Sequence, residues 1–108
     1  EELICKVSNY PNPVDTRKGG VEGRTVINYT LNDNAEVTMT IYDLMGYVVK
    51  EFKFTNGSDG GKLGPNFVTW DGKNELGAFV SKGGYIVRVK ASSPKGSKVI
   101  MRKIGIIH

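Results

Sequence analysis

The sequence predicts an all-β fold, an antiparallel β-sandwich of about seven strands, forming one domain over residues 1–108. Three observations carry this. Apolar residues recur with a period of two in segment after segment, the pattern of strands with one buried and one wet face. Gly, Pro, Asn and Asp cluster between these segments, where turns are needed. No stretch combines three-four apolar spacing with helix formers and a cap. A chain of 108 residues suits a single core.

The elements follow in order. Leu3 to Ser8 opens as a strand. Tyr10-Pro11-Asn12-Pro13-Val14 cannot lie in a central strand, because neither proline donates a ladder hydrogen bond. It is expected as a rigid crossover, with Tyr10 and Val14 tucked into the core, leading into a loop from Asp15 to Gly23. Thr25 to Leu31 places Thr25, Ile27, Tyr29 and Leu31 on one face. Asn32-Asp33-Asn34 is a turn, since short polar side chains bond their own backbone. Glu36 to Asp43 puts Val37, Met39 and Ile41 inward and Thr38, Thr40 and Tyr42 outward. Tyr47 to Phe54 follows, with Val49 inward and Lys50, Glu51 and Lys53 wet.

Asn56 to Pro65 holds four glycines and a proline in ten residues and reads as a flexible surface loop. It is not a phosphate loop, because no strand-loop-helix context surrounds it and Lys62 is not followed by Ser or Thr. Asn66 to Trp70 is a short strand. Gly84 to Ala91 is a long one, with Tyr85, Val87 and Val89 inward and Arg88 and Lys90 outward. Ser92 to Gly96 turns, and Ser97 to Ile107 returns as the last strand. The apolar tail Ile104-Gly105-Ile106-Ile107 leaves room for oligomerisation or for pairing with a preceding domain.

Composition narrows the function classes. No apolar stretch approaches the roughly 20 residues that span a bilayer, so membrane insertion is not expected. The chain begins at Glu1, which reads as a piece of a longer protein or one that has lost an N-terminal segment. Cys5 is the sole cysteine, so no internal disulfide forms. In its apolar strand it reads as a small buried hydrophobe rather than a nucleophile, because the sole histidine, His108, stands at the chain end. Net charge is +4, unevenly spread. From Lys82 onward there are seven basic residues and no acidic one, leaving eight basic against eleven acidic before it.

Asn9-Tyr10-Pro11-Asn12-Pro13, the strands Ile27 to Leu31 and Ala35 to Gly46, the run Thr69-Trp70-Asp71-Gly72-Lys73-Asn74 with Gly77, and Gly83-Gly84-Tyr85-Ile86-Val87-Arg88-Val89 follow a familiar order. Together they resemble the immunoglobulin-like domain of the flagellar hook-capping protein family. They also resemble its relatives at the C-termini of large secreted bacterial proteins, including the sorting domains of type IX secretion cargo. The resemblance covers nearly the whole chain. It implies an immunoglobulin-like sandwich, usually last in a longer polypeptide and without catalytic activity. In type IX cargo such a domain is the address read by the export machinery. In hook-capping proteins it helps assemble an extracellular filament. The chain departs from the sorting pattern at its end, where Lys98 to Lys103 runs on through Ile104 to His108.

Three features invite a chemical reading. Trp70 is more often a core anchor than a sugar platform when no aromatic stripe surrounds it. Asp71, Asn74 and Glu75 offer oxygens of the kind calcium takes, but the run lacks alternating ligands and contains Lys73, so a capped turn is the better expectation. No Asp or Glu sits in an apolar segment where burial would raise its pKa for acid–base work. The third feature is charge. Arg88 and Lys90 alternate on one strand, Lys98 and Arg102 share a parity on the next, and paired they would build one patch for an anionic partner. The competing reading is that lysines guard an edge strand.

The expected function is that of a non-catalytic, cofactor-free accessory module of an exported bacterial protein, extracellular or at the cell surface. It would act in secretion sorting, surface attachment or extracellular assembly. Its partner would be a protein of that machinery or the preceding domain of the parent chain, with an anionic surface polysaccharide as a further candidate. Nucleic acid is not expected, because no aromatics interleave with the charges. The alternative is a carbohydrate-binding module of a secreted glycoside hydrolase, stacking sugar on Trp70, Tyr85 or Tyr42.

Overall fold

The computed structural model describes residues 3–107, with the side chains of Cys5 and Val21 excepted. The readings of the Cys5 thiol and of His108 therefore lie outside the described residues. Seven strands run β1 (Ile4–Tyr10), β2 (Thr25–Leu31), β3 (Glu36–Asp43), β4 (Val48–Phe54), β5 (Gly64–Trp70), β6 (Gly83–Ser93) and β7 (Gly96–Ile106). They form two antiparallel sheets, ordered β1-β2-β5 and β4-β3-β6-β7. This is the immunoglobulin-like sandwich that the sequence predicts. The loop after β1 winds into two short 3-10 turns, Thr16–Lys18 and Gly20–Gly23.

The core is the sum of the inward parities. Ile27, Tyr29 and Leu31 of β2 face Val37, Met39 and Ile41 of β3, with Val68 and Trp70 of β5, Val87 and Val89 of β6 and Ile104 and Ile106 of β7 completing it. The tail Ile104 to Ile106 is thus core rather than a free apolar edge. Val14 covers it: its N–H donates to the Gly105 carbonyl at 2.8 Å, and its carbonyl accepts from Ile107 N–H at 3.0 Å. Asn12 extends the cover, accepting from Gly105 N–H at 2.9 Å and donating to the Lys103 carbonyl at 3.1 Å. The asparagine side chain supplies donors and acceptors where the flanking prolines have no N–H.

Buried Thr25 fixes the other side of this crossover. Its hydroxyl accepts from Asn9 Nδ2 at 3.0 Å and donates to the Pro11 carbonyl at 2.9 Å. Val14 is buried as expected, but Tyr10 is 79% exposed. The reason is register: Tyr10 pairs with Val26, on the outer face of β2, while its neighbour Asn9 pairs with inward Ile27.

Strand β4 also departs from expectation. Phe52 and Phe54 oppose Met39 and Val37 and pack against the core, as does Val49. Lys50 opposes Ile41 and is half-buried, not wet, because alternation places it on the same row as Phe52 and Phe54, opposite the inward residues of β3. Its ammonium lies over the Phe52 ring, 5.5 Å from the centroid, and reaches Glu75 at 3.3 Å.

The glycine-rich segment before β5 is anchored, not a loose surface loop. Buried Asn66 accepts from the N–H of Gly60 at 3.1 Å and of Lys62 at 3.4 Å, and donates to the carbonyls of Lys62 and Gly64 at 2.9 and 3.0 Å. The Tyr29 hydroxyl donates to the Gly60 carbonyl at 2.6 Å. Gly60 has φ +94°, and a methyl group there would sit 2.5 Å from the Phe54 ring, so both conformation and space require glycine. Replacing Asn66 by Leu removes every bond of its side chain. Of these partners only the Gly60 N–H bond is fully buried, the others being part-buried and open to water, and an unpaired buried backbone group costs about 1–3 kcal/mol, so N66L is expected to lose about 3 kcal/mol in urea denaturation.

Candidate functional site

Residues 70–85 link the two sheets. Trp70, at the end of β5, is 1% exposed, and its Nε1–H donates to the Lys73 carbonyl at 3.0 Å. Tyr85, opening β6, is 6% exposed, and its hydroxyl donates to the Ser81 carbonyl at 2.6 Å. The rings meet edge to face with centroids 5.9 Å apart. Burial and then the charge of Asp43 push the Tyr85 hydroxyl pKa up. Tyr42 is half-buried. Neither Trp70 nor Tyr85 presents a ring face to solvent, so the sugar-stacking assignment to this pair is corrected: their faces are spent between the sheets.

The carboxylates and amides of this corner hold turns. Asp71 accepts from Lys73 N–H at 3.0 Å, and Asn74 Oδ1 accepts from Leu76 and Ala78 N–H, each at 3.0 Å. Glu75 turns away to β4, where it accepts from Glu51 N–H at 3.1 Å and pairs with Lys50. The three oxygen-bearing side chains therefore diverge. No group of three His, Cys, Asp or Glu side chains converges among the described residues.

The four cations of the expected patch divide between two surfaces. Strands β6 and β7 are joined by the two-residue loop Pro94-Lys95, since Ser93 pairs with Gly96. Even-numbered residues of β6 then oppose odd-numbered residues of β7. Arg88 opposes Met101 and Lys90 opposes Val99, all on the outer face of the four-stranded sheet. Lys98 opposes buried Ala91 and Arg102 opposes buried Val87, so both lie on the inner parity. The single patch assumed matching parities, and a hairpin one residue shorter or longer would have produced it. Instead Arg88 and Lys90 lie in cross-strand rows with Thr40 and Thr38, and with Glu51 and Lys53 of β4. The Thr40 hydroxyl donates to Glu51 at 3.2 Å.

Lys98 and Arg102 belong to a groove between the edge strands β1 and β7, shared with Lys6, Ile4 and Ile100. Sequence reasoning did not bring Lys6 there; it is exposed at φ +57°, in the irregularity that separates the Cys5 and Ser8 pairings. A second surface was also missed. On the outer face of the three-stranded sheet, Tyr10 and Phe67, the latter 68% exposed, border a groove of about 600 Å³ with Pro11, Pro13 and Val26. The signal was available: an inward Trp70 places Phe67, three residues earlier, outward.

Among the shifted groups, Glu75 bears on stability. The hydrogen bond from Glu51 N–H, and then Lys50, hold its pKa below the usual carboxylate value. A depressed folded-state pKa means the ionised form favours folding. That contribution is full above the unfolded-state pKa and is lost as pH falls through the folded one. Glu75→Gln is expected to lower the urea midpoint at neutral pH, with the gap from wild type narrowing on acidification. A gap independent of pH would assign the effect to packing instead.

A family model described as the FlgD Ig-like domain matches residues 15–95. Similar solved structures include PorU of Porphyromonas gingivalis, described as dimeric and latent, with TM-score 0.69 and 24% identity over 93% of this chain and 9% of that one. PorZ of the same organism, described as an essential surface component of its type IX secretion system, gives TM-score 0.62 and 21% identity over 94% of this chain and 11% of PorZ. FlgD of P. aeruginosa gives TM-score 0.66 and 20% identity over 94% of this chain and 70% of that one. These identities establish likeness of fold, and the chain spans about a tenth of PorZ and PorU. No curated protein sequence matches. The family match covers most of the chain, in the strand order and sandwich described above: the chain belongs to the FlgD Ig-like domain family.

Proposed function

We propose that residues 1–108 form a single non-catalytic accessory domain, the C-terminal module of an exported bacterial protein. It acts by recognition at the cell surface or outside the cell, in sorting, attachment or assembly. Its partner is a protein of the export or surface-assembly machinery, or the preceding domain of its own chain. The observation that carries this is the use of the polar residues. Asp71, Asn74, Glu75, Asn66 and Thr25 are engaged in capping backbone or bridging strands, and the exposed surface offers a basic groove, an aromatic groove and an open strand edge, with no converging group of three His, Cys, Asp or Glu among the described residues. Membership of the FlgD Ig-like family agrees with an accessory role. So does a fold that recurs within PorZ and PorU. Fold alone does not assign function, so the test is direct. Fused behind a periplasmic reporter in a host with type IX secretion, the domain is expected to carry the reporter to the surface. A reporter that stays inside overturns the sorting role.

One observation favours the carbohydrate reading at a different place. Tyr10 and Phe67 are the exposed rings bordering a groove, with Asn28 between them as a hydrogen-bonding group. If sugar binds this domain, a Tyr10→Ala, Phe67→Ala double variant should abolish polysaccharide retention in affinity electrophoresis, while Tyr42→Ala leaves it intact. Retention lost only with Tyr42→Ala would return the site to the opposite sheet.

A further inference from the structure

A β-sandwich has four strand edges, each a row of backbone groups able to pair with another chain. Three of them carry a device against this. On β4, Glu75 occupies the edge twice: its N–H donates to the Val49 carbonyl at 3.2 Å and its carboxylate accepts from Glu51 N–H. On β5, Pro65 removes an N–H. On β1, the irregularity between Cys5 and Ser8 and the positive φ of Lys6 break the line of the strand.

Strand β7 is protected over only half its length. Its C-terminal half is covered by Val14 and Asn12, whose bonds to Gly105 and to the Lys103 carbonyl show that odd-numbered residues of β7 direct their backbone groups away from β6. By the same alternation the N–H and carbonyl of Val99 and the N–H of Met101 point outward. Among the described residues nothing pairs with them. The Met101 carbonyl is taken by Arg102 Nη1 at 2.8 Å. From Ser97 to Arg102 the strand has neither proline nor irregularity. Val99 and Met101 are 37% and 52% exposed along it.

We infer that the Ser97–Arg102 edge of β7 takes an added strand from an extended acidic segment of a partner protein. This rests on the recognition reading above and names its surface and partner chemistry. Charge selects the occupant. The groove beside the edge is lined by Lys6, Lys98 and Arg102 with Ile4, Val99, Ile100 and Met101 as its apolar part, and no acidic side chain lines it among the described residues. A strand laid here would alternate: acidic side chains toward Arg102 and Lys6, apolar ones beside Val99 and Met101. A second copy of this chain is disfavoured, because pairing β7 with β7 would set Lys98, Arg102 and Lys103 against their own kind.

The test uses the whole 108-residue chain. It is titrated with a peptide of about ten residues, the length of a long strand, alternating Glu with Val or Thr, and with the same peptide carrying Lys for Glu. Amide shifts are expected at Val99, Met101 and Lys103 with the acidic peptide alone. Affinity should fall about tenfold or more from low to high salt, as screening shortens the reach of the cations. Met101→Pro removes an outward N–H and leaves the β6 ladder whole, so binding should be lost. Should that variant fold poorly, the Lys6→Glu, Arg102→Glu double variant should reverse the preference between the two peptides. Absence of binding would assign the lysines to guarding the edge and overturn the inference. So would shifts centred on Arg88 and Lys90, or dimerisation through β7. The reporter fusion separates the two readings. Export that survives Met101→Pro sinks the edge and spares the sorting role; an intact edge that binds acidic peptide while the reporter stays inside does the reverse.

Discussion

The edge-to-face contact of Trp70 with Tyr85 is the constraint on which the sandwich depends. Trp70 ends a strand of the three-stranded sheet, and Tyr85 opens a strand of the four-stranded one. Their contact sets how the sheets close at that end. Each ring also has its polar atom tied to the connecting segment, through the Lys73 and Ser81 carbonyls. Residues 71–84 must therefore leave one sheet and enter the other within a fixed span. The capping by Asp71 and Asn74 follows from that, as does the swing of Glu75 out to β4.

The same economy governs the other connections. Asn66 folds the glycine-rich segment inward, Thr25 grips the Pro11 crossover, and Asp43 accepts from the N–H of Met45 and Tyr47 at the β3–β4 turn. Each is a short polar side chain satisfying backbone groups that the sheets leave unpaired. These side chains are engaged with the backbone, and the surfaces left open are the outer faces and edges. Here those are a basic groove at β1 and β7, and an aromatic groove at Tyr10 and Phe67.

Much of the fold was legible because it rests on period two. The inward sets of β2, β3 and β6 stand as the alternation predicts, and Trp70 is core. The misses share a cause. Tyr10 and Lys50 were assigned by local pattern, and their faces are decided by what pairs with them across a strand. Asn66 looked like an ordinary first residue of a short strand, because its partners are backbone atoms of a loop whose path no periodicity describes. Lys6 entered the basic groove only because β1 and β7 happen to be the neighbouring edges of two different sheets.

By itself the sequence determined that this chain is an antiparallel sandwich with a tryptophan anchor and a basic C-terminal hairpin. Alternation, turn residues and composition are local properties, written in order along the chain. Only the tertiary structure decided where the charge goes. A two-residue loop at Pro94-Lys95 sets β6 against β7 one step out of the expected register, sending Arg88 and Lys90 outward and Lys98 and Arg102 to the inner parity. Side chains alternate with a period of two, so a single residue in a turn exchanges the faces of a whole strand.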